Sequence, residues 1–96
     1  SDLPQDFQIL KAYPNPFNAQ ITFEIIASKN TIGELTIFDI SGKKIRSLKN
    51  LNIQSGENNF SWEGRDDKGF SVSTGIYFIS IKSDLGNQNH KILLVK

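Results

Sequence analysis

Apolar and polar residues alternate along most of this chain with a period of two. Ile21, Phe23 and Ile25 are separated by Thr22 and Glu24, Leu35 and Ile37 flank Thr36, and Phe60 and Trp62 flank Ser61. Tyr77, Ile79 and Ile81 are interleaved with Ser80 and with Phe78, which breaks the polar side. Ile92 and Leu94 alternate with Lys91, Leu93 and Val95, so the last strand is apolar on both faces. Successive side chains of a strand point to opposite faces, so this alternation predicts half-buried strands. Weaker strands are predicted over Ile45–Leu48 and Gln8–Ala12, and no stretch carries a helical stripe.

Turn-forming clusters punctuate these runs: PNPFN, SKNTIG, SGKK, QSGEN, GRDDKG, STG and DLGNQN. They recur about every 8–15 residues, the rhythm of an all-β sandwich. The pattern predicts seven short strands in two packed antiparallel sheets, an immunoglobulin-like or fibronectin-III-like β-sandwich. Short connections favour hairpins and one or two sheet-crossing loops over parallel crossovers.

Composition changes the picture by exclusion. The 96 residues fit one domain. A net charge of +1 with both signs interspersed gives no basic face for nucleic acid, and no apolar run is long enough to span a membrane. With no cysteine, disulfides, thiolate metal sites and cysteine nucleophiles are ruled out. Methionine is absent even at position 1, which reads as a piece excised from a longer protein, with Ser1 a cloning remnant. Residues 1–6, SDLPQD, are expected to be the remnant of a linker and residues 7–96 the folded domain.

The candidate chemistry is sparse. In FDISGKKI, Asp39 is placed to accept from backbone N–H groups a few residues on, Gly42 supplies a positive φ, and Lys43 resumes the next strand. The segment lacks the spaced glycines and following helix of a phosphate loop. Asp66 and Asp67 are adjacent rather than alternate, which suits a solvated turn between Gly64 and Gly69 better than a calcium loop. Trp62 is expected to anchor the core, the competing role being an exposed sugar-stacking platform. Gly75 and Tyr77 suit a buried ring with a tethered hydroxyl. His90 has no partner with which to bind metal or move a proton, and is expected at a surface or edge strand. No catalytic constellation, cofactor, metal or small-molecule substrate is indicated. Pro14 and Pro16 bracket Asn15 in YPNPFN, and neither proline can donate a hydrogen bond. The hexapeptide is therefore expected to leave the ladder as a stiff bend, pinned to the core by Phe17 and by Tyr13.

In order, YPNPFN, ITFEI, LTIFDISGKKIRSL, SGENNFSWEGRDDKG, VSTGIYFISI and a terminal HKILLVK resemble the type A C-terminal sorting domain of the type IX secretion system of the Bacteroidetes lineage. The resemblance covers residues 12–96. It implies a non-catalytic signal domain that directs a larger cargo, carried upstream in the same chain, across the outer membrane. The implied partners are the translocon or its shuttle and a surface sortase that removes the domain and attaches the cargo. The implied location is the periplasm in transit, then the cell surface or the medium. The family's motifs fall on Pro14, Asn15 and Pro16, on Asp39, Gly42 and Lys43, on Gly75 and Tyr77, and on the lysine-bearing strand Lys91–Lys96. An edge strand there would offer Lys91, Leu93, Val95 and Lys96 to a partner that adds a strand or brings carboxylates. The Trp62–Gly69 segment is longer than in many sorting domains and, with STGIYF, also resembles the immunoglobulin-like domain of the flagellar hook-capping protein. That resemblance implies a structural or assembly module that stays attached, and a carbohydrate-binding module is a third reading.

Overall fold

The computed structural model describes residues 6–96, so all of the expected linker but Asp6 lies outside the described residues. Its strands are β1 (Phe7–Tyr13), β2 (Ile21–Ala27), β3 (Thr31–Asp39), β4 (Lys44–Ile53), β5 (Gly56–Trp62), β6 (Gly75–Ser83) and β7 (Gly86–Leu94). One sheet has the order β1-β2-β5 and the other β4-β3-β6-β7, and neighbouring strands in both run antiparallel. The two sheets face each other over the alternating residues named above: Ile21, Phe23 and Ile25 from one sheet meet Leu35, Ile37, Ile79, Ile81, Ile92 and Leu94 from the other. The all-β sandwich of antiparallel sheets expected from the alternation is the architecture found.

Connections within a sheet are hairpins, β3–β4 and β6–β7, or the proline-bearing bend 14–20 between β1 and β2. Three connections cross between sheets, more than the one or two expected, because β5 returns to the first sheet between β4 and β6: 28–30, 54–55 and 63–74. Gly33 packs closely between Ile53 and the backbone of Lys82. A Cβ there would lie 2.6 Å from Ile53 Cδ1 and 3.0 Å from the Lys82 carbonyl oxygen, so only glycine fits without displacement.

Two strands depart from the expected boundaries. β4 runs well past Leu48, because the register shifts opposite Gly33–Leu35 and Asn50 adopts φ 58°. The extra residue puts Leu48 and Leu51, three apart, on the same inner face, so a strict period of two fails there. β7 begins at Gly86, inside the DLGNQN cluster expected to be a turn; the turn itself is only Asp84–Leu85. Asn87 and Asn89 are tolerated because they face solvent on an edge strand.

The strands give the molecule two unlike poles along its 38 Å long axis. The start of β1 lies at one pole, beside the end of β2 and the β6–β7 hairpin, with Phe7 opposite Ala27. At the other pole lie the bend 14–20, the β3–β4 hairpin, the 63–74 loop, the start of β6 and the end of β7.

Candidate functional site

The YPNPFN, FDISGKK, WEGRDDKG and STGIY motifs and the last residues of HKILLVK lie at or beside this second pole. Three aromatic rings run through it: Phe17 and Trp62 at 5.6 Å between centroids, then Trp62 and Tyr77 at 5.4 Å edge to face. Such contacts between buried rings add to the gain from area burial alone. Each polar tip is satisfied: Trp62 Nε1–H donates to the Arg65 carbonyl at 2.8 Å, and the Tyr77 hydroxyl to the Ser73 carbonyl at 2.6 Å. Trp62 is buried, so it is a core anchor and offers no platform for sugar stacking.

The hexapeptide does more than bend. Both its Tyr13–Pro14 and Asn15–Pro16 bonds are cis. It leaves the β1–β2 ladder, as expected, but lands on the outer edge of β7. The Asn15 carboxamide acts there like a peptide group: Nδ2–H donates to the Lys91 carbonyl at 3.3 Å and Oδ1 accepts from Leu93 N–H at 3.0 Å. Phe17 continues the rung, donating to the Leu93 carbonyl at 2.9 Å and accepting from Val95 N–H at 2.8 Å. Asn18 Nδ2–H closes the series on the Val95 carbonyl at 3.0 Å. From the Lys91 carbonyl to the Val95 carbonyl the outward-facing backbone groups are therefore taken by Asn15, Phe17 and Asn18. The expectation that a partner adds a strand at Leu93 and Val95 meets an edge already paired within the chain. Prolines suit the arrangement: at 14 and 16 they have no N–H to satisfy, which leaves Asn15 and Phe17 to do the bonding. Phe17 is buried at 1% exposure beside Leu94, but Tyr13, expected to share the anchoring, is 41% exposed and lies under the Lys11 ammonium instead.

The neighbouring turns consume their own carboxylates. Asp39 Oδ1 accepts from Ser41 N–H, Ser41 Oγ–H and Lys43 N–H within 2.7–2.9 Å, with Gly42 at φ 89° completing the hairpin. The Ser41 hydroxyl first, then the Lys43 amide, hold its carboxyl below the ordinary value of 3.8. A depressed carboxylate contributes stability that is fully present above its unfolded-state pKa and lost as pH falls through the folded-state one, here below about pH 4. Ser41→Ala is expected to raise the Asp39 pKa toward its ordinary value in a carboxyl NMR titration; an unmoved titration would show that the hydroxyl is idle.

Asp66 and Asp67 point apart. Asp66 Oδ1 accepts from Lys68 and Phe70 amides, while Asp67 Oδ1 takes the Ser47 amide and pairs with Arg46 at 3.4 Å. Gly64 and Gly69 carry positive φ values of 72° and 89°. No group of three potential metal-ligating side chains occurs among the described residues. Between the β3–β4 hairpin and residues 72–77 opens a groove of about 650 Å³ that includes Lys43, Gly75 and Tyr77 in its wall. At the chain's end, Lys96 N–H donates to Thr74 Oγ1 and its ammonium to Ser71 Oγ at 2.7 Å, whereas Lys91 stays exposed on the sheet face. His90 is half-buried on edge strand β7. The roles of Asn18, Ser41 and Ser73 were missed from sequence. Only the repeat of asparagine at 15 and 18 around Phe17 carried a signal.

The family model for the secretion system C-terminal sorting domain matches residues 11–96. No curated protein sequence matches the chain. Among solved structures, it is similar to dimeric latent PorU from Porphyromonas gingivalis, with TM-score 0.69 and 22% identity over 88% of this chain and 9% of that one. It is also similar to PorZ of the same organism, described as an essential surface component of the type-IX secretion system (TM-score 0.60, 16% identity, 90% of this chain, 11% of that one). FlgD of Xanthomonas campestris, described in connection with the hook capping essential for flagellar assembly, matches with TM-score 0.60 and 21% identity over 94% of this chain and 62% of that one. The chain thus spans about a tenth of the length of the PorU and PorZ chains it matches. At these identities the likenesses to solved structures establish the fold.

Proposed function

The chain belongs to the family of secretion system C-terminal sorting domains, the type IX signals that larger proteins carry to the cell surface or beyond, and we propose that residues 7–96 work as an address displayed away from the cargo. The observation that carries this reading is the separation of the poles. The upstream chain joins at the Phe7 end, while the motif residues gather at the far end of a 38 Å body. An address read at that end is the same whatever protein is attached, which a machine serving many cargoes requires.

In this reading the cargo passes through the periplasm, the translocon or its shuttle engages the motif pole, and a surface sortase then removes the domain. The family is generally non-catalytic, and this domain's own part is binding alone. The three-on-four strand arrangement and the Tyr77 hydroxyl tether support the immunoglobulin-like, fibronectin-III-like type of sandwich. The exposed Lys91 supports the carboxylate-pairing half of the recognition expected at the last strand. The edge clasp around Asn15 and Phe17 disfavours the strand-addition half.

The test is fusion of the chain behind a fluorescent cargo with a signal peptide, in a host that secretes by the type IX route. Delivery of the fluorescence to the surface or medium, dependent on that system, is expected; retention in the periplasm with a folded domain would overturn the reading. The likeness to FlgD favours a second reading, an assembly module that remains attached. It gives retention and no cleavage in the same experiment.

A further inference from the structure

Two irregularities of the alternation, Phe78 on the polar side of β6 and Leu93 on the outer side of β7, lie on one face in adjacent rows. On the outer face of the four-stranded sheet the register places Lys44 opposite Phe38, Phe38 opposite Phe78, and Phe78 opposite Lys91. One row across the sheet thus reads lysine, phenylalanine, phenylalanine, lysine. The next row toward the motif pole pairs Ile76 with Leu93. The next row the other way is Ser47, Thr36, Ser80 and Asn89, all polar. The face is therefore contiguously apolar in its motif-pole half, and beyond the polar row Ile32 is the only large apolar residue exposed on it among the described residues. Phe78 is 38% exposed, and Val95 and Ile40 extend the apolar area at 44% and 73%. A sheet face that solvent alone covers carries polar residues along its whole length, so an apolar half with a sharp polar border marks a contact surface.

Charge selects the occupant. Among the described residues neither Lys44 nor Lys91 has an ion-pair partner, and the nearby Asp39 carboxylate is already held by its own turn. Two unpaired ammonium groups at the ends of an aromatic row fit apolar side chains flanked by carboxylates. A second copy of this chain would set lysine against lysine across a two-fold contact. Strand addition at the adjoining edge is foreclosed by Asn15, Phe17 and Asn18, so a partner must read side chains on the face.

We propose that this half-face, centred on Phe38, Phe78, Ile76 and Leu93 and bounded by Lys44 and Lys91, docks an acidic-rimmed apolar protein surface of the export machinery. The inference rests on the sorting-signal reading and deepens it by naming the surface and the chemistry of its partner. The test uses the fluorescent fusion. Phe78→Ser and Leu93→Ser, and separately Lys44→Glu with Lys91→Glu, are expected to cut surface delivery at least about tenfold, the effect of losing one hot-spot side chain, with melting unchanged. Lys82→Glu, in the polar half of the same face, is expected to leave delivery intact. A photocrosslinking phenylalanine analogue at position 78 should trap a protein through a carboxylate-rich segment. Failure of the unmutated fusion to be delivered overturns the sorting reading itself. Delivery of the unmutated fusion and of folded patch variants alike overturns the docking surface alone. Crosslinks to a second copy or to lipopolysaccharide, or indifference to the lysine reversals, overturn the acidic protein occupant.

Discussion

Phe17→Ala is expected to lower the stability of the domain by about 3–5 kcal/mol, the cost of emptying a fully buried phenylalanine site. A domain of this size has roughly 5–15 kcal/mol in hand, and each kcal/mol is worth about 4–8 °C in melting temperature at this length. The variant should therefore melt some tens of degrees lower, or be largely unfolded, in thermal or denaturant unfolding. The size of the effect follows from what the ring holds. It packs on Trp62, and Gly64 lies beside it, where a Cβ would make ordinary van der Waals contact at 4.0 Å from its Cε2. Its backbone meanwhile pairs with Leu93 and Val95. Removing it loosens the joint between the bend after β1 and the end of β7, two segments 77 residues apart in sequence (94 − 17). Tyr13→Ala, on the exposed neighbour, is expected to change stability by no more than about 0.5 kcal/mol. Equal losses from the two would mean that the bend is held by something other than Phe17.

The contrast between Phe17 and Tyr13 marks where the sequence was readable. Two aromatics flank the same PNP, and nothing in composition says which one turns inward. That depends on β7, which supplies the partners for one and not the other. Local pattern was sufficient for β2 and β6, whose inner residues alternate without interruption. It failed for β4, where the irregularity at Asn50 moves Leu51 onto the face already used by Leu48. It failed again at the start of β7, where an edge strand accepts asparagines that look like turn residues. The turn chemistry of Asp39 and Gly42 was legible because it is settled within five residues. The edge clasp of Asn15 was not, because its partners Lys91 and Leu93 lie at the other end of the chain. What stayed hidden in the candidate site is what depends on distant pairing: the clasp, and the row of lysines and phenylalanines assembled from four strands.

Deletion of Leu93–Lys96 is expected to unfold the domain, and the loss of export that follows would then come from misfolding before it says anything about recognition. Leu94 is 1% exposed, and truncating a buried leucine to alanine alone costs about 2–5 kcal/mol. The deletion also strips the partners of Asn15, Phe17 and Asn18, each hydrogen bond contributing about 0.5–1.5 kcal/mol. Together these approach the whole stability of a small domain. The truncated fusion is expected to show no cooperative melting transition, to be degraded or retained in the periplasm, and to be of no use in mapping the address. Lys91→Ala and Lys96→Ala remove the terminal charges without touching the clasp, and each should stay within about 0.5 kcal/mol of the parent. The pair separates the two meanings of the last strand. If the truncated domain melts like the parent yet is not exported, the terminal residues are an address that the fold does not need, and the clasp of Asn15 and Phe17 on β7 is not structural. If it unfolds while the lysine variants stay folded and lose delivery, the strand closes the sandwich with its inner side and its backbone, and carries the address on its outer face.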